Sequence, residues 1–498
     1  MLRVEDDQRL LTLDTNLEFA DSPSIKNSIF SRFLGVILLA TFPLFGNWIA
    51  YLTGGPRRGL QLLGLALALT LLAFSQPSLM RDFFLRVLYL PKFRLSLFVL
   101  LIVNAILWTV RLIGFKESIE TGRITDAIIV LLWQIFFLCL WQCREIYSET
   151  IAARPIHSNL VDSAVLKRNV LLPLTLLGLF YFSSAWYFGP APGEVLMSFQ
   201  GSPIYSGNAA SILAFVLLFI FPGFLGALSS APFIFLVVMS TARSALAISF
   251  ILLLVYAMRT FYISAYKLKA LQNLILPGVM FLLFILTPAT LESRFYPYYL
   301  SQENAYKTLP RRSEYIRRYT RFLRIAPDFV VNFLWQTDIA NDSVNSNFLH
   351  SVDYSLKDLF YSQSRESDAR MVIYKKTLNS IERSPFGLWP KNFSETLRLD
   401  CGSRTPCDYP HNFFLEAGFY FGWGLMLFLL CGMFFLVPFI LKDLVTSRDP
   451  FILMCAVVVS ALCLQIQVSG NLFDSVIALA ILWIWLVYKA QALPNLPK

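Results

Sequence analysis

The residue best suited to acid–base chemistry in this chain is His411, one of three histidines. It follows Pro410 at the point where a long polar segment gives way to a strongly apolar one. A proline suits the first turn of a helix, so we expect a helix to begin here. The positive end of that helix dipole disfavours the imidazolium form, and a neutral imidazole at an aqueous boundary can accept a proton near neutral pH. His411 is therefore the predicted general base.

Two polar residues follow His411 on the same predicted helix. Asn412 is its immediate neighbour, and Glu416 lies five positions beyond His411, which turns its side chain away on a helix. We expect both residues to support the site by orienting other groups. An alternative interpretation makes His411 an interfacial polar residue that caps the helix. His157 and His350 belong to no motif and are more simply explained as solvated side chains.

Two arginines are candidates for binding an anion. Arg243 is the one arginine in the apolar stretch from Asn208 to Tyr256. An arginine among apolar spans indicates a functional site, although an arginine that snorkels at a membrane boundary would give the same pattern. Arg370 begins a predicted helix from about Ser367 to Glu382, where, taken alone, it would be an ordinary surface arginine.

The seven cysteines divide into two groups. Cys401 and Cys407 lie in the polar segment with five residues between them, and they could form a disulfide if that segment faces an oxidising compartment. The other cysteines fall in apolar runs and are predicted to be small buried hydrophobic residues. The sequence has no Cys/His grouping with zinc spacing and no phosphate-binding or dinucleotide-binding loop, so we expect neither a metal nor a cofactor.

Membrane spans are the elements that must position these residues. The chain has 498 residues, of which 56% are hydrophobic, and its mean hydropathy is +0.59. Soluble domains do not carry repeated apolar runs of about 18 residues or more. The sequence therefore predicts an all-α, polytopic integral membrane protein with about twelve transmembrane helices and one large periplasmic loop.

The predicted organisation has five parts. They are a cytoplasmic N-terminal segment (1–29), helices one to nine (30–290), the large loop (291–410), helices ten to twelve (411–490) and a cytoplasmic tail (491–498). The predicted spans run from Phe30 to Leu52, Gly59 to Phe74, Leu95 to Ile113, Ile124 to Cys143, Asn169 to Phe188, Asn208 to Phe221, Phe224 to Met239, Ser244 to Met258, Leu271 to Thr290, His411 to Leu441, Phe451 to Val468 and Leu472 to Tyr488.

The distribution of Lys and Arg predicts the orientation. When the N-terminus is placed in the cytoplasm, the inner connectors hold most of the basic residues and the short outer loops hold few, as the positive-inside rule requires. This bias accounts for much of the net charge of +10, so the charge does not indicate a nucleic-acid partner. The same orientation places the long polar segment, Arg243 and His411 together on the outer face.

The first third of the long segment, from Arg294 to Arg324, is strongly basic. Two interpretations remain open for it. It could be a solvated helix that lies against anionic lipid headgroups. It could instead be an electrostatic platform for a substrate that carries phosphates or acidic sugars.

Three stretches together resemble the O-antigen ligase and polymerase family of bacterial envelope proteins. The segment from Ser240 to Ala245 resembles the Ser/Thr-x-Ser-Arg segment of that family, with Ala242 where Ser or Gly is frequent. The segment from Arg370 to Gly387 resembles the family's arginine-bearing helix and the Pro-x-Gly turn that follows it. The segment from His411 to Gly422 resembles its His-Asn motif and the glycines beyond.

This resemblance implies a metal-independent, inverting glycosyl transfer at the outer face of a bacterial inner membrane. The implied donor is a glycan on undecaprenyl diphosphate, with His411 activating the acceptor hydroxyl and with Arg243 and Arg370 holding the diphosphate. The residue types agree with this chemistry. A sugar hydroxyl needs a base within hydrogen-bond reach, and guanidinium groups grip phosphate oxygens and can stabilise the charge of a departing diphosphate.

Two questions stay open at the level of sequence. The acceptor could be lipid A–core, which defines a ligase, or a second lipid-linked repeat, which defines a polymerase; the basic outer segment slightly favours the polymerase. A flippase or other transporter of lipid-linked oligosaccharides, or a non-catalytic membrane scaffold, would also be a polytopic membrane protein. Transporters usually place charged residues near the middle of several spans, whereas the predicted spans here are almost free of charge.

Overall fold

The computed structural model describes a helical protein. The described residues are 32–41, five positions within 81–88, 91–114, 121–150, 170–179, 203–239, 243–263, 268, 271–280, 364–397, 410, 412–468, 472 and 475–491. Within these ranges every regular element is a helix, and there is no strand. The predicted all-α class is confirmed for this part of the chain.

We number the helices in chain order. They are α1 (Arg32–Thr41), α2 (Pro91–Gly114), α3 (Thr121–Thr150), α4 (170–179), α5 (Pro203–Ile220), α6 (Phe224–Met239), α7 (Arg243–Ile263), α8 (Leu271–Met280), α9 (Ser364–Arg383), α10 (Phe393–Leu397), α11 (Phe413–Phe421), α12 (Trp423–Thr446), α13 (Pro450–Val468) and α14 (Ser475–Gln491).

Five of the described helices are long and apolar enough to cross a membrane: α2, α3, α7, α12 and α13. Such a set is typical of a helical membrane protein. Helix α6 has the bounds that the sequence predicts for the seventh span, and α5 begins five residues earlier than the predicted sixth span. The described residues do not test the predicted count of about twelve transmembrane helices. Residues 291–363 of the predicted loop lie outside the described ranges.

The sharp reversal between α5 and α6 falls at Pro222 and Gly223, where the sequence predicts a break. Gly223 has a φ of +110°, which favours glycine because a β-carbon is strained there. Its carbonyl oxygen accepts the backbone N–H of Ala227 at 3.1 Å and so caps the first turn of α6. A β-carbon on Gly226 would overlap the Phe221 carbonyl oxygen, so the reversal also depends on this second glycine.

Among the five helices long enough to cross a membrane, α13 is the most enclosed and α2 is the most exposed. In the span of α13, 72% of the residues are buried inside the protein, against 6% in the span of α2. Helices α5, α12 and α14 pack around α13. Aromatic rings fill another contact of the bundle, between α5 and α7, where the ring centres of Phe219 and Tyr256 lie 5.4 Å apart. A helix that is apolar all round is suited to such a central position.

Charged residues hold together one end of the bundle. Lys489 on α14 forms an ion pair with Asp443 on α12 at 2.7 Å, and the indole N–H of Trp485 donates to the same carboxylate at 2.8 Å. Arg259, near the end of α7, donates through Nη1 to the Leu444 carbonyl oxygen at 3.0 Å. The C-terminal ends of α7, α12 and α14 therefore lie together.

The tenth predicted span differs from the structure. The sequence predicts one span from His411 to about Leu441, whereas the chain forms two helices, α11 and α12, that are separated at Gly422. Gly422 has a φ of +92°, which no α-helix contains. The break has a distant cause, because a separate loop of the chain supplies hydrogen bonds at this point.

Candidate functional site

The start of α11 is held by Asn412, the residue after the predicted base. Asn412 is extended, with φ −150° and ψ 122°, and its Oδ1 accepts the backbone N–H of Leu415 at 3.0 Å, as an N-cap residue does. Its Nδ2 donates to the Gln467 carbonyl oxygen at the end of α13, also at 3.0 Å. His411 itself lies outside the described residues, between the buried Pro410 and this cap.

Glu416 joins α11 to the link between α13 and α14. Its side chain is only 4% exposed, and its Oε2 accepts the backbone N–H of Leu472 at 2.8 Å. A carboxylate that accepts a backbone N–H in a buried place satisfies a donor that would otherwise be costly to bury. Glu416 therefore holds the neighbouring link, and its predicted part in the site stays a prediction.

Aromatic packing supports the same place from α3. The ring of Trp133, which is fully buried, lies 5.5 Å from the ring of Phe413, the first residue of α11. The indole N–H of Trp133 donates to Ser475 Oγ at 2.9 Å, and that hydroxyl donates to the Leu472 carbonyl oxygen at 2.6 Å. Helices α3, α13 and α14 thus fix the beginning of α11 from several directions.

The turn that follows α9, from Pro385 to Trp389, packs against the break between α11 and α12. The backbone N–H groups of Leu388 and Trp389 donate to the carbonyl oxygens of Phe419 and Tyr420, at 2.8 and 2.9 Å. In return, the N–H of Trp423 donates to the Pro385 carbonyl oxygen at 3.0 Å. The turn therefore supplies partners for backbone groups that a break in a membrane helix would leave unpaired.

Two glycines make this close approach of backbones feasible. Gly387 and Gly422 both have positive φ values, of +86° and +92°. A β-carbon on Gly387 would overlap the Tyr420 carbonyl oxygen, and one on Gly422 would overlap the Pro385 carbonyl oxygen. The Pro-Phe-Gly turn and the glycine after the His-Asn motif, which the sequence singles out separately, therefore contact each other.

Arg370 is carried by α9, the helix that leads into this turn. The helix begins at Ser364, three residues before the predicted start, and ends at Arg383. Arg370 precedes Ile381 by eleven residues, which is roughly 16 Å along a helix axis, and Ile381 packs beside Gly418 of α11. The backbone of Arg370 is described, but its side chain is not.

Arg243 is the first residue of α7, and its side chain also lies outside the described set. Arg259, on the same helix, contacts the C-terminal end of α12. Arg243 comes sixteen residues before Arg259, which is about 24 Å along a helix axis, so it lies towards the end of α12 that carries Gly422. Its neighbour Ser244 has its hydroxyl 3.5 Å from Oδ1 of Asn208 on α5. The Asn208 amide nitrogen is buried and has no hydrogen-bond partner among the described residues.

Sequence reasoning misses one cation at the site. Arg111 belongs to the last turn of α2 and donates through Nη1 to the Tyr420 carbonyl oxygen at 3.0 Å. The sequence places Arg111 inside the third span and assigns it no role. Its position near the end of a long apolar run is the signal that could have identified it, because an arginine there can reach a polar boundary.

The structure gives no metal site within the described ranges and does not test the predicted disulfide. No group of three or more His, Cys, Asp or Glu side chains that could hold a metal ion occurs among the described residues. Cys401 and Cys407 both lie outside the described residues, so their predicted pairing stays a prediction.

Comparison of the chain with protein-family models, with curated proteins and with solved structures finds no match.

Proposed function

We propose that this chain is a multi-pass membrane glycosyltransferase that moves a glycan from undecaprenyl diphosphate to a carbohydrate acceptor at the outer face of a bacterial inner membrane. The observation that supports it best is the docking of the Pro385–Trp389 turn onto the break at Gly422. This contact joins two of the three motifs on which the family resemblance depends. The turn leads back along α9 to Arg370, and the break lies one short helix after His411.

In the proposed reaction, His411 removes the proton from the acceptor hydroxyl as that oxygen attacks the anomeric carbon of the donor glycan. The bond between that carbon and the diphosphate oxygen breaks, and undecaprenyl diphosphate leaves. Arg243 and Arg370 stabilise the negative charge that grows on the diphosphate, as fixed cations can do in place of a metal ion. Attack from the opposite side inverts the anomeric configuration.

The placement of charge supports chemistry at one end of the bundle over transport through its middle. In the described apolar helices, every Asp, Glu, Lys and Arg lies within about two turns of a helix end. Charges that bind cargo in transporters usually lie near the middle of the membrane. The flippase therefore stays the second candidate, and a scaffold the third.

A complementation test distinguishes these candidates. A host strain that lacks the gene receives the wild-type chain, His411→Ala, or His350→Ala, which removes the histidine that lies within the polar segment. Membrane levels are matched, and surface polysaccharide is resolved on a gel. We expect wild type and His350→Ala to restore a glycan ladder and His411→Ala to abolish it.

The products that remain with His411→Ala name the subtype. Single repeats on lipid A–core indicate a polymerase, and bare core with accumulated lipid-linked polymer indicates a ligase. A full ladder from His411→Ala at normal membrane levels would refute His411 as the base and would favour the transporter or scaffold.

A further inference from the structure

Arg111 lies where the three helices α2, α11 and α12 meet the docked turn. Its Nη1 donates to the Tyr420 carbonyl oxygen at 3.0 Å, and the same oxygen accepts the backbone N–H of Trp389 at 2.9 Å. One carbonyl at the C-terminal end of α11 therefore binds both the turn and the arginine. The guanidinium group is fixed at the junction that joins the second and third motifs.

Aromatic rings pack at the same junction. Trp108, three residues before Arg111 on α2, has its ring centre 6.3 Å from that of Trp389. Trp389 in turn stacks on Phe421 with 6.3 Å between ring centres and 25° between planes. Packed rings as well as hydrogen bonds therefore hold the turn, α2 and α11 together at this junction.

The charge of Arg111 has no counter-ion within the described part of the chain, where its one hydrogen-bond partner is a neutral carbonyl oxygen. A guanidinium group has five N–H donors, and the hydrogen bond to Tyr420, made through Nη1, is the one found among the described residues. Burying a cation without an anion is costly, and Arg111 is half-buried. An anionic ligand would remove that cost.

The flanking residues on α2 face away from the protein. Val110 is 64% exposed and Ile113 is 79% exposed, which in a membrane places them against lipid tails. Arg111 therefore stands between lipid on one side and the motif junction on the other. A ligand with an apolar tail and an anionic head could contact both surfaces at once.

We propose that Arg111 binds a phosphate of the lipid-borne diphosphate where this donor passes laterally from the membrane into the site. The identity of the carrier lipid rests on the proposed function. Arginine suits the role because its planar fork grips phosphate oxygens and stays charged. Arg111 would bind a phosphate of the entering donor, while Arg243 and Arg370 stabilise the diphosphate during the transfer.

A purely structural role for Arg111 is the alternative, and Arg259 provides a matched control for it. Arg259 also donates through Nη1 to a carbonyl oxygen near a helix C-terminus, that of Leu444, at the same 3.0 Å. It lies at the opposite end of the bundle. Replacement by Gln keeps an N–H donor in both places but removes the charge, so a role limited to capping predicts the same small effect at both positions.

The test measures binding of undecaprenyl diphosphate to the purified full-length chain in nanodiscs of zwitterionic lipid. Wild type is compared with Arg111→Gln, Arg111→Lys and Arg259→Gln, after thermal unfolding has shown that each variant is folded. We expect Arg111→Gln to weaken binding about tenfold or more, Arg111→Lys to recover part of it, and Arg259→Gln to bind as wild type does. Inorganic diphosphate and phosphatidylglycerol serve as competitors, and only the first should compete.

The outcomes separate this inference from the proposed function. Equal binding by Arg111→Gln and wild type would overturn the role of Arg111 and leave the His411 complementation result untouched. Equal competition by phosphatidylglycerol would assign the arginine to bulk anionic headgroups and overturn the donor contact. Absence of binding by wild type would overturn both this inference and the diphosphate donor.

Discussion

Asn412 and Gln467 are joined by a hydrogen bond of 3.0 Å in which the side-chain amide of Asn412 donates to the main-chain carbonyl oxygen of Gln467. Because Asn412 also caps α11, one side chain sets both the start of that helix and its attachment to α13. The residue before it, His411, is the proposed base. The geometry of the cap should therefore affect catalysis as well as stability.

Replacement of Asn412 by Ala should lower the free energy of unfolding by about 1 to 2 kcal/mol, which is the usual cost of losing an N-cap. Activity should fall by more than the loss of folded protein explains, because the residue next to His411 loses its hydrogen bond to Gln467 on α13. Thermal unfolding and the glycan ladder measure the two effects. Asn392→Ala is the control, since the Asn392 side chain accepts the N–H of Ser394 at the start of a different helix, α10. Equal activity losses in the two variants would contradict the prediction.

Glu416 should tolerate Gln and should not tolerate Ala. Gln keeps an oxygen that can accept the Leu472 N–H, whereas Ala leaves that buried donor unpaired at a cost of about 1 to 3 kcal/mol. We expect Glu416→Gln to retain the glycan ladder and Glu416→Ala to lose stability, as measured by thermal unfolding. A stable but inactive Glu416→Gln variant would show that the carboxylate takes part in the chemistry.

Local sequence pattern was enough to predict some elements of this fold. Helix α6 starts and ends at the predicted residues, and the reversal at Pro222 and Gly223 follows from the two residue types least compatible with a continuous helix. The apolar runs give the all-α class, because only helices or closed barrels can satisfy backbone groups in lipid. In these cases the cause lies within a few residues of the effect.

Other features depend on contacts between distant parts of the chain. The apolar run after His411 continues through Gly422 without interruption, so the break depends on the Pro385 carbonyl oxygen, which lies 37 positions earlier in the chain. The contact of Arg111 with Tyr420 is likewise visible only in the fold, because the two residues lie 309 positions apart in the chain. For the candidate site, the residue roles that the sequence indicates stay predictions, and the contact between the second and third motifs is visible only in the fold.

The break at Gly422 should be more sensitive to a methyl group than its neighbour on α12. Gly422→Ala forces a β-carbon onto a positive φ and against the Pro385 carbonyl oxygen, so we expect a loss of about 1 to 3 kcal/mol and a weaker glycan ladder. Gly424→Ala is the control, because a β-carbon there meets nothing within 4 Å and alanine favours the helix. If both variants unfold at the same temperature as wild type, the strain at Gly422 is not significant.

The Asp443–Lys489 pair should act as a unit of stability at the end of the bundle away from the site. Lys489→Met leaves a buried carboxylate without its cation, and Asp443→Asn leaves a buried ammonium without its anion, while the Asn oxygen can still accept from Trp485. Each single change should cost about 3 to 5 kcal/mol, because an uncompensated buried charge remains.

The double variant Asp443→Asn/Lys489→Met should recover most of that loss, since both charges are gone and the Trp485 hydrogen bond is kept. Thermal unfolding of the four proteins gives the coupling between the two residues. The double variant should also restore the glycan ladder, because neither residue belongs to the proposed site. Additive losses would show that the two charges do not stabilise each other, and a stable double variant without a ladder would give this end of the bundle a part in function.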